Sequence, residues 1–90
     1  MKDFHGRVAV ITGAGSGIGR ALAMALRAEG CDLALVDVNA ARLREVQAEI
    51  GPTRASIHVA DVADRTRMAS LAEEVMTQHD RVDILVNNAG

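Results

Sequence analysis

An apolar run, Val8-Ala9-Val10-Ile11, passes directly into Thr12-Gly13-Ala14-Gly15-Ser16-Gly17-Ile18-Gly19, and an amphipathic segment follows. Glycines packed between a buried strand and a helix constrain this chain's fold more than anything else in it. They allow backbone turns and close approaches that side chains forbid. They also leave unpaired N–H groups and the positive end of the helix dipole facing the turn, which suits an anion such as a diphosphate. The turn therefore points to a nucleotide site.

The rest of the chain repeats the alternation. Arg7 to Thr12 reads as a first strand and Ile18 to Glu29 as a helix whose Ile18, Leu22, Ala25 and Leu26 share a face, with Gly30 as its stop. Asp32 to Asp37 reads as a second strand. Asn39 can cap a second helix with the apolar stripe Leu43, Val46 and Ile50, ended by Gly51-Pro52. Ala55 to Ala60 reads as a third strand, and Asp64 caps a helix to about His79 with Met68, Leu71, Ala72 and Val75 at helical spacing. Asp83 to Asn87 reads as a fourth strand. Strands rich in Val, Ile and Leu that alternate with helices imply right-handed crossovers and a parallel sheet, a βαβαβαβ fold of the α/β class. No linker or repeat divides the chain, so residues 1–90 are expected to form one domain.

Composition removes several classes of function. Ten basic and twelve acidic residues are interleaved, for a net charge of −2, and give no basic patch for nucleic acid. Phe4 is the only aromatic residue, so bases have no stacking platform. No apolar stretch is long enough for a signal core or membrane span, and a cytoplasmic location is expected. Cys31 is the only cysteine and is expected as a small buried residue at a strand start. His5, His58 and His79 are scattered without metal-ligand spacing.

The glycine turn does not fit G-x-G-x-x-G in any register, because Ile18 and Arg20 fall where glycine is needed. It reads instead Thr12-Gly13-x-x-x-Gly17-x-Gly19. Asp37 closes the second strand 18 residues after Gly19, Asp61-Val62 follows the third, and Asn87-Asn88-Ala89-Gly90 follows the fourth. On these residues the chain resembles the short-chain dehydrogenase/reductase family along its whole length. The resemblance implies a Rossmann-type parallel sheet in strand order 3-2-1-4 that stops after strand four. It implies NAD as cofactor. Gly13 would permit the sharp turn, Gly15 belongs to the same loop, and Gly17 and Gly19 would admit the pyrophosphate. Ser16 and Ile18 would touch the cofactor through hydroxyl and backbone groups. Asp37 would accept from the adenosine ribose, Asp61 and Val62 would hold the adenine ring, and Asn88, Ala89 and Gly90 would line the cofactor ribose while Asn87 supports the sheet. Asp37 would repel a 2′-phosphate, and neither Ser16 nor Val38 offers a cation, so NAD is expected over NADP.

The family's chemistry uses a Ser, a Tyr and a Lys, with a further Asn. This chain has no Tyr, and its only Lys is Lys2. Ser16, Ser56 and Ser70 lie on early elements and do not substitute. The chain is thus expected to be the cofactor-binding N-terminal portion of such an enzyme, inactive alone, with a stand-alone nucleotide-binding module or a non-functional truncated product as alternatives. A half-covered sheet with an open edge is also expected to drive self-association.

Overall fold

The computed structural model describes residues 4–88. Its elements run β1 (Val8–Thr12), α1 (Gly17–Ala28), β2 (Asp32–Asp37), α2 (Ala40–Ile50), β3 (Ala55–Val59), α3 (Arg65–His79) and β4 (Ile84–Asn87). All strand pairs are parallel, in the order β3-β2-β1-β4. This is the Rossmann-type α/β sheet expected from the sequence.

Element ends differ by a residue or so from the sequence reading, each for a visible reason. Arg7, Ala60 and Asp83 fall just outside their strands yet continue the ladder: Asp32 N–H donates to Arg7 O, Ala60 N–H to Asp37 O, and Asp83 N–H to Val8 O. α1 starts at Gly17 because the extended Ser16 caps it, and it stops at Ala28 because Glu29 caps its other end before Gly30 turns at φ +96°. Asn39 and Asp64 cap α2 and α3 as expected, each side chain accepting the N–H three residues on.

Alternation along the strands splits the apolar side chains between two faces. On one face, Ala9, Ile11, Leu33 and Leu35 pack with Ala23 of α1 and Leu43 and Val46 of α2. On the other, Val10, Ala34 and Val36 meet Leu71 and Val75 of α3, with Met68 half-buried beside them. Cys31 is fully buried immediately before β2, and that burial, more than the nearby Asp32, raises its thiol pKa.

Two helical faces depart from expectation. Ile18 and Ala25 of α1 are exposed, and the buried positions are Gly19 and Ala23 with Leu22 and Leu26 half-buried. The cause is the close approach of Gly19 to the Gly13 backbone at the end of β1, which rotates the helix onto its smallest residues. Ala72 of α3 is likewise exposed, since a single sheet face below the helix needs only Met68, Leu71 and Val75.

Asp83 fastens β4 to β1. Its Oδ2 accepts the Val8 N–H at 2.9 Å, and its Oδ1 pairs with Arg81 and Arg7. Arg81 above all, then the Val8 amide, holds the carboxyl down at about 2. A folded-state pKa below the unfolded value of about 3.9 stabilises the fold above that value, and the stabilisation disappears as pH falls toward 2. Asp83→Asn should therefore be less stable than wild type at neutral pH, and the two should converge between about pH 4 and pH 2. Circular dichroism melts across that range check it; a gap that is constant with pH would exclude the charged anchor.

Candidate functional site

The strand C-termini are built by short-range geometry. Gly13 turns the chain at φ +65° directly after β1, and Ala14 N–H donates to Val36 O, which ties the turn to the end of β2. Ser16 then opens α1. Its hydroxyl donates to Gly13 O at 2.8 Å and accepts the Gly19 N–H at 3.1 Å. Among the described residues, no acceptor meets the N–H groups of Gly17 and Ile18, and both residues are exposed.

The glycines play unlike parts. A Cβ on Gly19 would fall 2.0 Å from the Gly13 carbonyl oxygen, so that glycine is demanded by helix–strand packing. A Cβ on Gly15 would crowd Arg42 and the Asp37 carboxylate at 2.8 and 3.0 Å. Its own N–H donates to Asp37 Oδ2 at 2.9 Å. A Cβ on Gly17 would meet nothing within 4 Å, and the fold itself has no need of a glycine there. The space beside Gly17 is open to an incoming group.

Gly13, Asp37, Asp61 and Val62 converge, with Val36, Val38 and Ala60, on a cleft of about 120 Å³ across the ends of β1, β2 and β3. Asp37 Oδ1 accepts the Asn39 N–H at 3.0 Å, so each of its oxygens accepts one backbone bond and keeps a further lone pair. Asp61 stands exposed, its Oδ1 accepting the Ala63 N–H. The Ser16 hydroxyl, by contrast, is fully used within the chain, since it also accepts from Asn88 Nδ2 at 3.1 Å.

Asn88 supports the turn with its side chain, which donates to Gly13 O as well. Ala89 and Gly90, the remaining residues of the expected site, lie outside the described residues. The motif assigns Thr12 no role from sequence, and the structure gives it one. Its hydroxyl donates to Asn87 Oδ1 at 3.1 Å and accepts the Asn88 N–H at 3.0 Å, stitching the end of β1 to the end of β4. The signal was a hydroxyl at the last strand position before a glycine.

Among the described residues, no group of His, Cys, Asp and Glu is placed to hold a metal ion, and no helix is long and apolar enough to cross a membrane. What the strand ends offer is backbone N–H donors, a helix N-terminus and two carboxylates around a cleft. Residues 7–90 match the family model described as short chain dehydrogenase. The chain belongs to that family. It is 41% identical over 92 residues to a D-threitol dehydrogenase of Mycolicibacterium smegmatis, covering 98% of this chain and 35% of that protein. Among solved structures, NAD⁺-bound xylitol dehydrogenase superposes with a TM-score of 0.93 at 35% identity, covering 99% of this chain and 35% of the other. A metagenomic short-chain oxidoreductase in complex with NADP gives 0.90 at 38% identity, covering 99% and 41%. The chain thus spans 35–41% of the length of these short-chain dehydrogenase relatives.

The contrast between the two helix glycines is testable without any ligand. Gly19→Ala should cost about 3 kcal/mol or more, because backbone must move to admit the methyl. Gly17→Ala should leave stability unchanged or raise it by up to about 1 kcal/mol. Urea unfolding of both variants measures this; equal effects would show that the packing against Gly13 does not set the helix position.

Proposed function

We propose that the chain is the NAD-binding portion of a short-chain dehydrogenase, and that the whole protein transfers hydride between NAD(H) and an alcohol or carbonyl. The observation that carries the reading is the cleft at three adjacent strand ends, lined by Gly13, together with the acceptor-free N–H groups of Gly17 and Ile18 and the open position at Gly17 in the turn and helix that follow Gly13. Ligands of open α/β sheets bind at this edge. The residues fit a dinucleotide: Gly17 and Ile18 present N–H donors to a diphosphate, and Gly13, Gly15 and Gly19 shape the turn that aims them. Asp37 retains lone pairs for ribose hydroxyls, Asp61 and Val62 would hold the adenine ring, and Asn88, Ala89 and Gly90 would line the cofactor ribose. Ser16 acts by capping α1 and bracing the turn.

When bound, the cofactor supplies the nicotinamide that accepts or gives hydride. This chain's residues bind and orient it. The acid/base work at the carbonyl requires a phenol and an ammonium that these 90 residues do not offer, since they contain no Tyr and only Lys2. We read residues 1–90 as one nucleotide-binding unit working in the cytoplasm.

NAD is favoured over NADP because a 2′-phosphate would bring its charge against the Asp37 carboxylate. A hydrogen bond to a charged group contributes about 1.5–3 kcal/mol. Asp37→Ala should therefore weaken NAD binding about tenfold or more while leaving NADP binding unchanged or improved, as read by isothermal titration calorimetry. An unaltered NAD/NADP ratio would remove Asp37 from the site.

The sheet face under α3 supports a second element of the reading. β4 is an edge strand, and Leu85, which pairs with Val10 in register, is 67% exposed. We read this open edge and face as the route by which the chain associates with copies of itself. Leu85→Glu should shift sedimentation toward monomer with little loss of stability, because the side chain is already in water. Unchanged sedimentation would place self-association elsewhere.

A further inference from the structure

β3 is the other edge of the sheet, and a cavity of about 780 Å³ lies along it between the end of α2 and α3. It opens at the N-terminal half of β3, away from the strand ends that form the cleft. Ser56, His58, Glu74 and His79 all line it, and they form one hydrogen-bonded chain. Ser56 Oγ lies 2.7 Å from His58 Nε2 and 2.8 Å from His79 Nε2, and His58 Nδ1 lies 2.9 Å from Glu74 Oε1. Arg67 grips both oxygens of Glu74 from behind.

The direction of each bond follows from the charges. Arg67 first, and then His58, hold the Glu74 carboxyl at about 2, so it is ionised and can only accept. His58 Nδ1–H therefore donates to Glu74, and in the neutral imidazole the Nε2 lone pair then faces Ser56. The single proton of Ser56 goes to that lone pair. Its oxygen then accepts from His79 Nε2–H, and burial favours the neutral form of His79. His58 is only 4% exposed, whereas Ser56 is half-buried at the cavity wall. A hydroxyl that reaches the cavity thus sits on a sequestered base, itself oriented by a carboxylate, the arrangement that activates a serine.

We propose that Ser56 is a nucleophile for small uncharged carboxylic esters, with His58 as its general base and Glu74 as the positioning carboxylate. Ser56 Oγ attacks the ester carbonyl carbon as its proton passes to His58 Nε2. The C–O bond to the alcohol group breaks, and that oxygen leaves with the proton from His58. Water then attacks the acyl-serine, giving up a proton to His58, and the carboxylic acid departs as Oγ recovers its hydrogen. His79 Nε2, 2.8 Å from Oγ, holds the hydroxyl in place beside His58. Asp32, Glu73 and Glu74 line the cavity and repel anionic esters.

The test uses p-nitrophenyl acetate with the 90-residue chain and no dinucleotide present, so that it is independent of the cofactor reading. The expected result is release of p-nitrophenolate and a mass increase of one acetyl group mapped to Ser56. Ser56→Ala should abolish the adduct. His58→Ala should slow acylation about a hundredfold, the scale of a lost general base. Glu74→Gln keeps the shape of the side chain and removes its charge, so it should slow acylation while circular dichroism shows the native fold. Retention of wild-type acylation by a folded Glu74→Gln or His58→Ala chain, or an acetyl group found on other residues and not on Ser56, would overturn the proposal.

Discussion

The Gly13 carbonyl oxygen occupies the place where any side chain on Gly19 would begin, and that contact sets the position of the whole first crossover. With no Cβ to keep them apart, the first turn of α1 rests directly on the end of β1. The helix must then bury what lies below Gly19 one turn on, which is Ala23, and it rotates Ile18 out into solvent. Because the helix starts so close to the strand, Ser16 reaches back to Gly13 while capping Gly19, and the turn closes on itself. The N–H groups of Gly17 and Ile18 are left without an acceptor among the described residues, beside an open position at Gly17. A feature that looks like tolerance for a ligand is in large part a consequence of packing.

The same turn is held from the far side. Thr12 and Asn88 join β1 and β4 at their ends, and Asn88 places its amide on both Gly13 and Ser16. Asp83 makes the matching tie at the beginning of the two strands. β4 contributes little burial of its own, with Leu85 in water and Ile84 and Val86 only half-covered. Its register therefore leans on polar bonds at both ends. A carboxylate at one end and a hydroxyl–amide pair at the other fix the strand whose C-terminus completes the site.

Element order and caps were legible in the sequence because they follow from local chemistry. Asn39 and Asp64 precede apolar stripes, and a strand buried on both faces reads as a run of Val, Leu and Ile. The sheet order came from the family resemblance, and the ladder bears it out. What local reading lost was the rotation of α1. Ile18, Leu22, Ala25 and Leu26 do lie on one helical face, but periodicity cannot see a carbonyl oxygen 2.0 Å from an absent Cβ. The division of labour among Gly15, Gly17 and Gly19 was hidden for the same reason, since the three are identical in sequence and differ only in what stands opposite them.

The cluster on β3 was illegible for another reason. Ser56 and His58 share one face of a strand by simple alternation, but their partners Glu74 and His79 come from α3, and only the crossover that returns α3 over the second sheet face brings them together. Taken singly, two scattered histidines and a serine on an early strand carry no signal. Placed on an edge strand, they acquire a property that a central strand would deny them, because a neighbouring strand and its helix would fill the cavity into which Ser56 opens. The two candidate sites thus use opposite resources of one sheet. At the strand ends the backbone supplies the donors and side chains mostly brace it, whereas along the β3 edge the backbone serves as a platform and a chain of side chains holds the proton.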